Sequence, residues 1–66
     1  MIIRINGKDE TIDAGMTIGA FLTKSKVEPG EVVVELNGAI ISKDEYASAI
    51  LNENDRLEVL RFVGGG

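Results

Sequence analysis

The chain has 66 residues, so it forms one small domain, which buries only about 60% of the surface that its unfolded chain exposes. It contains no cysteine and no histidine, which excludes disulfide bonds, thiolate chemistry and the imidazole ligands of common metal sites. Its formal net charge of -4 disfavours nucleic acid as a partner and fits either a partner with a basic docking surface or plain solubility.

The beginning of the chain predicts a β-hairpin. Apolar residues occupy every second position of residues 1–6, as in a half-buried strand. Asn6-Gly7 is a strong signal for a two-residue turn, because both residues tolerate positive φ. Residues 8–13 are therefore predicted to return as a polar edge strand, whose charges discourage pairing with other molecules.

A helix is predicted next, from an N-cap at Thr17 to about Lys26. Gly19 costs roughly 1 kcal/mol relative to alanine inside a helix, and we expect it to permit close approach of the helix to the sheet. Pro29-Gly30 ends this element. The predicted packing face consists of Ile18, Phe21, Leu22 and Ser25.

The second half of the chain reads as three more strands. Residues 32–36 form a strand, and Asn37-Gly38 repeats the hairpin signal before a short partner strand over residues 39–41. Residues 42–45 have the pattern of a capping box, which predicts a helical turn. The last strand covers residues 56–62. Side chains expected to pack the segment between them against the core are Tyr46, Ile50 and Leu51.

This order of elements predicts an α+β fold, with one mixed sheet of about five strands and one main helix packed across it. No apolar run is long enough to cross a membrane, and the first residues lack a signal-peptide pattern. We expect a soluble, cytoplasmic protein that is monomeric when free.

The sequence lacks the parts of a catalytic site. The adjacent carboxylates Asp9-Glu10 and Asp44-Glu45 are expected to be solvated surface groups, because neighbours on a strand point to opposite faces. No histidine is present to activate a serine, and nothing indicates a desolvated nucleophilic lysine.

The end of the chain is the most informative stretch. Residues 63–66 include three successive glycines, which resist order, so we expect a flexible arm that reaches roughly 10 Å beyond a domain of residues 1–62. If Leu57 and Val59 face the core, Leu60 and Phe62 face outward. These two residues form an expected docking patch, which Ile2 or Val33 joins if their strands are adjacent. A frayed end, or a remnant of cloning, is the alternative.

Two stretches carry a resemblance to a known family. Residues 34–41 and residues 55–66, above all the ending Arg61 to Gly66, resemble the ThiS family, the sulfur carriers of thiamine thiazole synthesis. The similarity covers nearly the whole chain and implies the β-grasp, ubiquitin-like fold. Many members have glycine where Asn54 stands, and we expect asparagine to serve there because it tolerates left-handed backbone.

The resemblance implies a carrier and not an enzyme. In this family an adenylating enzyme of the ThiF type uses ATP to activate the terminal carboxylate, here that of Gly66. Sulfur from a persulfide donor then leaves a thiocarboxylate, which a thiazole synthase of the ThiG type consumes. Gly64 and Gly65 would enter the partner's active site, with Leu60, Phe62 and Val63 at the docking surface. No cofactor or metal is implied on the chain itself.

Three other functions remain open on the sequence. A sister carrier for molybdopterin or another sulfur pathway would share the fold and the chemistry. A ubiquitin-like protein modifier would join its last glycine to lysines of other proteins. A simple binding module would use the domain alone, with the glycine arm incidental.

Overall fold

The computed structural model describes residues 1–62, which form one five-stranded sheet with one helix across it. The elements, in chain order, are β1 (Ile2–Ile5), β2 (Lys8–Thr11), α1 (Ile18–Lys24), β3 (Val32–Leu36), β4 (Ala39–Ile41) and β5 (Arg56–Arg61). Short 3₁₀ turns cover Pro29–Glu31 and Lys43–Glu45. The predicted mixed sheet and single main helix are confirmed.

The strand order across the sheet is β2-β1-β5-β3-β4. β5 runs parallel to β1, and every other neighbouring pair is antiparallel. The last strand of the chain is thus the central strand, hydrogen-bonded on both sides. Because side chains alternate along a strand, the sheet has an inner face under α1 and an outer face that no other element of residues 1–62 covers.

The core lies between α1 and the inner face of the sheet. Its largest members are fully buried, and Leu57 of β5, with 0% relative exposure, is among them. Burial of such side chains is the main term that stabilises a domain of this size. The buried set is Ile3, Ile5, Ile12, Ile18, Phe21, Leu22, Val32, Val34, Tyr46, Leu51 and Leu57.

The helix begins where the sequence predicts. The Oγ1 atom of Thr17 accepts a hydrogen bond from the amide of Ala20 at 3.0 Å, as an N-cap does. The first two amides of the helix also have hydrogen-bond partners. The amide of Ile18 donates to the carbonyl of Ala49 and that of Gly19 to the carbonyl of Tyr46, both at 2.9 Å. These bonds tie the start of α1 to the segment that precedes β5.

The helix ends earlier than predicted, at Lys24 with Ser25 as C-cap. Lys26 adopts left-handed backbone, with φ of 60°. The amide of Val27 then bonds the carbonyl of Leu22, and that of Lys26 bonds Thr23, which together form a Schellman motif. The sequence does not indicate this ending, because residue 26 is a lysine where such a motif usually has glycine. Ser25 is exposed at this earlier helix end, so the prediction that Ser25 belongs to the packing face is wrong.

Two further predictions in this region need correction. Gly19 does not face the sheet, because its nearest neighbours are backbone atoms of Tyr46. Ile50 is 52% exposed, whereas Tyr46 and Leu51 are buried as predicted. Ile50 forms a β-bridge with Thr17 in extended backbone, so its side chain and that of Leu51 point to opposite sides.

Candidate functional site

The predicted docking patch lies on the outer face of the sheet, at the end of β5. Leu60 is 49% exposed and Phe62 is 57% exposed, as the alternation from buried Leu57 predicts. The amide of Phe62 donates to the carbonyl of Glu31 at 2.9 Å, so pairing with the chain before β3 continues one residue beyond the strand. The base of the patch is therefore fixed backbone, while its side chains face solvent.

Val33 belongs to this patch and Ile2 does not. Val33 pairs directly with Leu60 between β3 and β5, which places both side chains on the outer face. Ile2 lies at the opposite end of the sheet, where its carbonyl accepts the amide of Asn54. Asn54 precedes Leu60 by six residues, a separation of roughly 20 Å along an extended chain.

Two carboxylates lie next to the patch. Glu35 pairs directly with Glu58 between β3 and β5, and Ile40 of β4 pairs with Glu35 from the other side. All three side chains point to the outer face, one row of the sheet away from Val33 and Leu60. Sequence reasoning missed this arrangement because it depends on strand order and register, which no local pattern specifies.

We call four apolar residues at this end of the outer face the outer patch, and the two glutamates the acidic pair. Ile40 is 71% exposed, the most exposed large apolar side chain of residues 1–62. The glutamates are only partly exposed. The outer patch consists of Val33, Ile40, Leu60 and Phe62.

Two turn asparagines hold β5 in place between its neighbours. The Oδ1 atom of Asn6 accepts the amide of Val59 at 2.8 Å, and the Oδ1 atom of Asn37 accepts the amide of Arg56 at 2.9 Å. Both asparagines adopt left-handed backbone, with φ of 50° and 53°. Their side chains therefore supply hydrogen-bond acceptors to β5, the strand that carries Leu60, in addition to forming the turns.

The predicted covalent and tail residues lie outside the described residues. These are Val63, Gly64, Gly65 and Gly66. Their assigned roles, and the division of the chain into residues 1–62 and 63–66, stay predictions.

The adjacent carboxylates sit on the surface in local roles. Asp9 forms an exposed ion pair with Arg4, Nε to Oδ1 at 3.2 Å, of a kind that contributes little to stability. Glu45 accepts the backbone amide of Ser42 and completes the predicted capping box. Neither pair is part of a cluster suited to acid–base chemistry.

A groove lies on the inner side of the sheet, near the C-terminal end of β5. It has a volume of about 320 Å³ and opens beside the C-terminal end of α1. Its lining is mostly apolar, and Arg61 is its one charged residue. Within residues 1–62 no three acidic residues gather to hold a metal ion, and no helix is long and apolar enough to span a bilayer.

The sequence of this chain matches a known protein family. The model of the ThiS family matches residues 3–66 of the chain. The chain belongs to the ThiS family. As a ThiS-family domain it carries the family's C-terminal glycines in the sequence, shortly after the strand that carries Leu60.

A solved structure confirms the predicted β-grasp fold of this ThiS-family chain. The crystal structure of the thiamine biosynthesis protein ThiS from Geobacter metallireducens superposes with a TM-score of 0.86 at 32% identity. The match covers 100% of both chains.

Two curated relatives differ in length. The sulfur carrier protein ThiS of Bacillus subtilis is 39% identical over 67 residues, which cover 98% of this chain and 100% of that protein. A thiazole synthase of Magnetococcus marinus is 38% identical over 66 residues, the whole of this chain. The ThiS-family chain spans only 20% of that synthase, so the synthase contains a ThiS-like region within a much longer protein.

Proposed function

We propose that this chain is a sulfur carrier protein that delivers sulfur for the thiazole ring of thiamine. A ThiF-type adenylating enzyme uses ATP to convert the carboxylate of Gly66 into an acyl-adenylate. The terminal sulfur of a persulfide donor attacks the carbonyl carbon and displaces AMP, which gives an acyl disulfide. A thiol reductant cleaves its S–S bond and leaves a thiocarboxylate, which a ThiG-type thiazole synthase consumes. The chain is a carrier and not a catalyst, and ATP is bound by the activating partner rather than by the carrier.

The observation that carries this proposal is the full-length similarity to the Bacillus subtilis sulfur carrier. The chemistry suits the residues. A carboxylate is a poor electrophile until one oxygen becomes part of a good leaving group, which adenylation achieves. Gly65 and Gly66 have no Cβ atoms to hinder entry into a narrow channel or attack at the carbonyl carbon.

In this proposal the domain docks on the partner, and Gly64, Gly65 and Gly66 reach into the partner's active site. Leu60, Phe62 and Val63 contact the activating enzyme and the synthase. The exposure of Leu60 and Phe62 at the end of the central strand supports this role, because an exposed apolar surface beside a reactive group favours protein docking.

The decisive test is a labelling reaction at Gly66. The protein is incubated with ATP, sulfide and the ThiF-type enzyme of the same organism, then treated with a thiol-alkylating reagent. Because the chain has no cysteine, a thiocarboxylate is the only sulfhydryl that the reagent can modify. The mass of the C-terminal fragment then reports the adduct, and alkylation separates it from methionine oxidation, which changes mass almost equally.

Labelling that requires ATP supports the carrier, and a variant without Gly65 and Gly66 is the control that remains unlabelled. Absence of labelling with an enzyme that activates another carrier contradicts the proposal. Gly66 joined by isopeptide bonds to other proteins would instead indicate a modifier. A labelled carrier that binds molybdopterin synthase but not thiazole synthase would indicate the sister pathway.

A further inference from the structure

The acidic pair is an unfavourable arrangement in the free domain. Glu35 and Glu58 are direct cross-strand partners, and like charges at such positions destabilise a sheet. The backbone bonds on either side, Phe62 to Glu31 and Asn37 to Arg56, place this pair at a hydrogen-bonded position of the ladder. Within residues 1–62 the one ion pair is that of Arg4 with Asp9, so neither glutamate forms an ion pair; the nearest cation along the strand on this face is Arg56, two residues before Glu58.

Apolar side chains beside the acidic pair would strengthen its charge interactions with a bound partner. Ile40 flanks Glu35 on β4, and Leu60 follows Glu58 by two residues on the same face. A partner seated on these apolar side chains would exclude water from the two carboxylates. Charge interactions at such a dehydrated position are much stronger than on an open surface.

We propose that the acidic pair and the flanking outer patch receive one arginine or lysine side chain of the thiazole synthase, set among apolar residues on its surface. This inference rests on the proposed function. Charge complementarity selects the cation, because a single positive group between Glu35 and Glu58 removes their repulsion and pairs with both. Arginine fits best, since its planar guanidinium donates to two carboxylates at once.

A relative of the chain points to the thiazole synthase as the occupant. A synthase from Magnetococcus marinus contains a region similar to the whole of this chain, so carrier-like and synthase sequences occur in one polypeptide. Docking on the adenylating enzyme through the same pair is the competing outcome.

The test is a double-mutant cycle on the carrier. Wild type, Glu35→Gln, Glu58→Gln and the double variant are titrated with the ThiG-type synthase of the same organism at low and high salt. We expect each single substitution to weaken binding about tenfold and to reduce its salt dependence. The double variant should bind clearly more weakly than either single variant, since it leaves the partner's cation dehydrated with no carboxylate to pair with.

The same variants should become more stable when free. Either substitution removes the repulsion, so each should raise Tm by about 3 °C, and the double variant should gain little more. Glu10→Gln is the matched control, because it changes net charge equally but lies opposite Ile3 on β2, away from the outer face. It should alter neither affinity nor Tm.

The outcomes separate this inference from the function on which it rests. If the glutamate variants bind the synthase as tightly as wild type while Leu60→Ala binds more weakly, the cation site is wrong and the carrier function stands. An effect confined to the adenylating enzyme also overturns the inference. If wild type is neither labelled at Gly66 nor bound by the synthase, both proposals fail.

Discussion

The side-chain oxygen of Asn6 accepts the amide hydrogen of Val59 at 2.8 Å, across the junction of β1 and β5. The amide of Asn6 donates to the carbonyl of Leu57, which is the regular bond of a parallel ladder. The next regular acceptor would be the backbone carbonyl of Asn6, but left-handed backbone turns the chain into the hairpin at this residue. The side chain substitutes for it and extends the pairing of β5 by one bond.

Asn6→Ala should lower the free energy of unfolding by about 2 kcal/mol. Alanine loses the hydrogen bond and pays for left-handed backbone, at roughly 1 kcal/mol each. Asn6→Gly should cost about 1 kcal/mol, because glycine accepts the backbone and loses only the bond. Urea denaturation at constant m value measures both.

Asn54→Ala is the control for the backbone contribution. Asn54 has φ of 69°, but its side chain makes no hydrogen bond within residues 1–62. We expect a loss of about 1 kcal/mol from strain alone. Equal costs for Asn6→Ala and Asn6→Gly would show that the strain at residue 6 is negligible.

Gly19→Ala should destabilise the domain by about 1 kcal/mol, although alanine is the better helix former. A Cβ atom at residue 19 would lie 3.2 Å from the carbonyl oxygen of Tyr46, the same atom that accepts the amide of Gly19. Tyr46 is buried, so this carbonyl cannot move aside freely. Thermal unfolding followed by circular dichroism measures the change.

Gly30→Ala makes the same chemical change as Gly19→Ala, but we expect it not to destabilise the domain. A Cβ atom there would meet only the flexible end of Lys43, at 3.8 Å. Alanine reduces the entropy of the unfolded chain, so we expect stability to stay constant or rise by about 0.5 kcal/mol. A stabilised Gly19→Ala variant would mean that the Tyr46 segment shifts readily.

Leu60→Ala should weaken binding to the adenylating enzyme and to the thiazole synthase by at least about tenfold. Its cost in unfolding free energy should stay near 1 kcal/mol, because half of the side chain is already in solvent. Ile50→Ala is the matched control, since Ile50 is 52% exposed but lies in the segment beside Thr17. Equal binding by the two variants would remove the outer patch from the docking surface.

Gly65→Val should abolish ATP-dependent labelling of Gly66 without changing the unfolding transition. A branched Cβ adjacent to the reacting glycine obstructs a narrow channel, whereas no core residue is altered. Gly65→Ala should be intermediate in rate. If the valine variant is labelled at the wild-type rate, the tail does not enter a channel that requires glycine at this position.

Local patterns in the sequence were sufficient for the elements and for the inner face. Alternation placed Ile3 and Leu57 in the core, and Thr17 forms the predicted N-cap. Both Asn-Gly pairs form the predicted turns, because positive φ is a property of the residues themselves. The resemblance to a family supplied the fold name, which local patterns do not specify.

Features set by distant partners were not predictable. The left-handed backbone of Lys26 is stabilised by the Schellman bonds and by Val27 packed on the core, not by any preference of lysine. The outward turn of Ile50 follows from its bridge with Thr17. The acidic pair depends on the register between β3 and β5, for which neither strand carries a local signal.

The central position of β5 has a mechanical consequence. Force applied to the chain beyond residue 62 acts along a strand that is bonded to β1 on one side and β3 on the other. An edge strand would be held by one row of hydrogen bonds, but β5 shares the tension between two neighbours. A partner that pulls on the last residues therefore has to break hydrogen bonds on both sides of β5 before the domain unfolds, so the whole sheet resists the force.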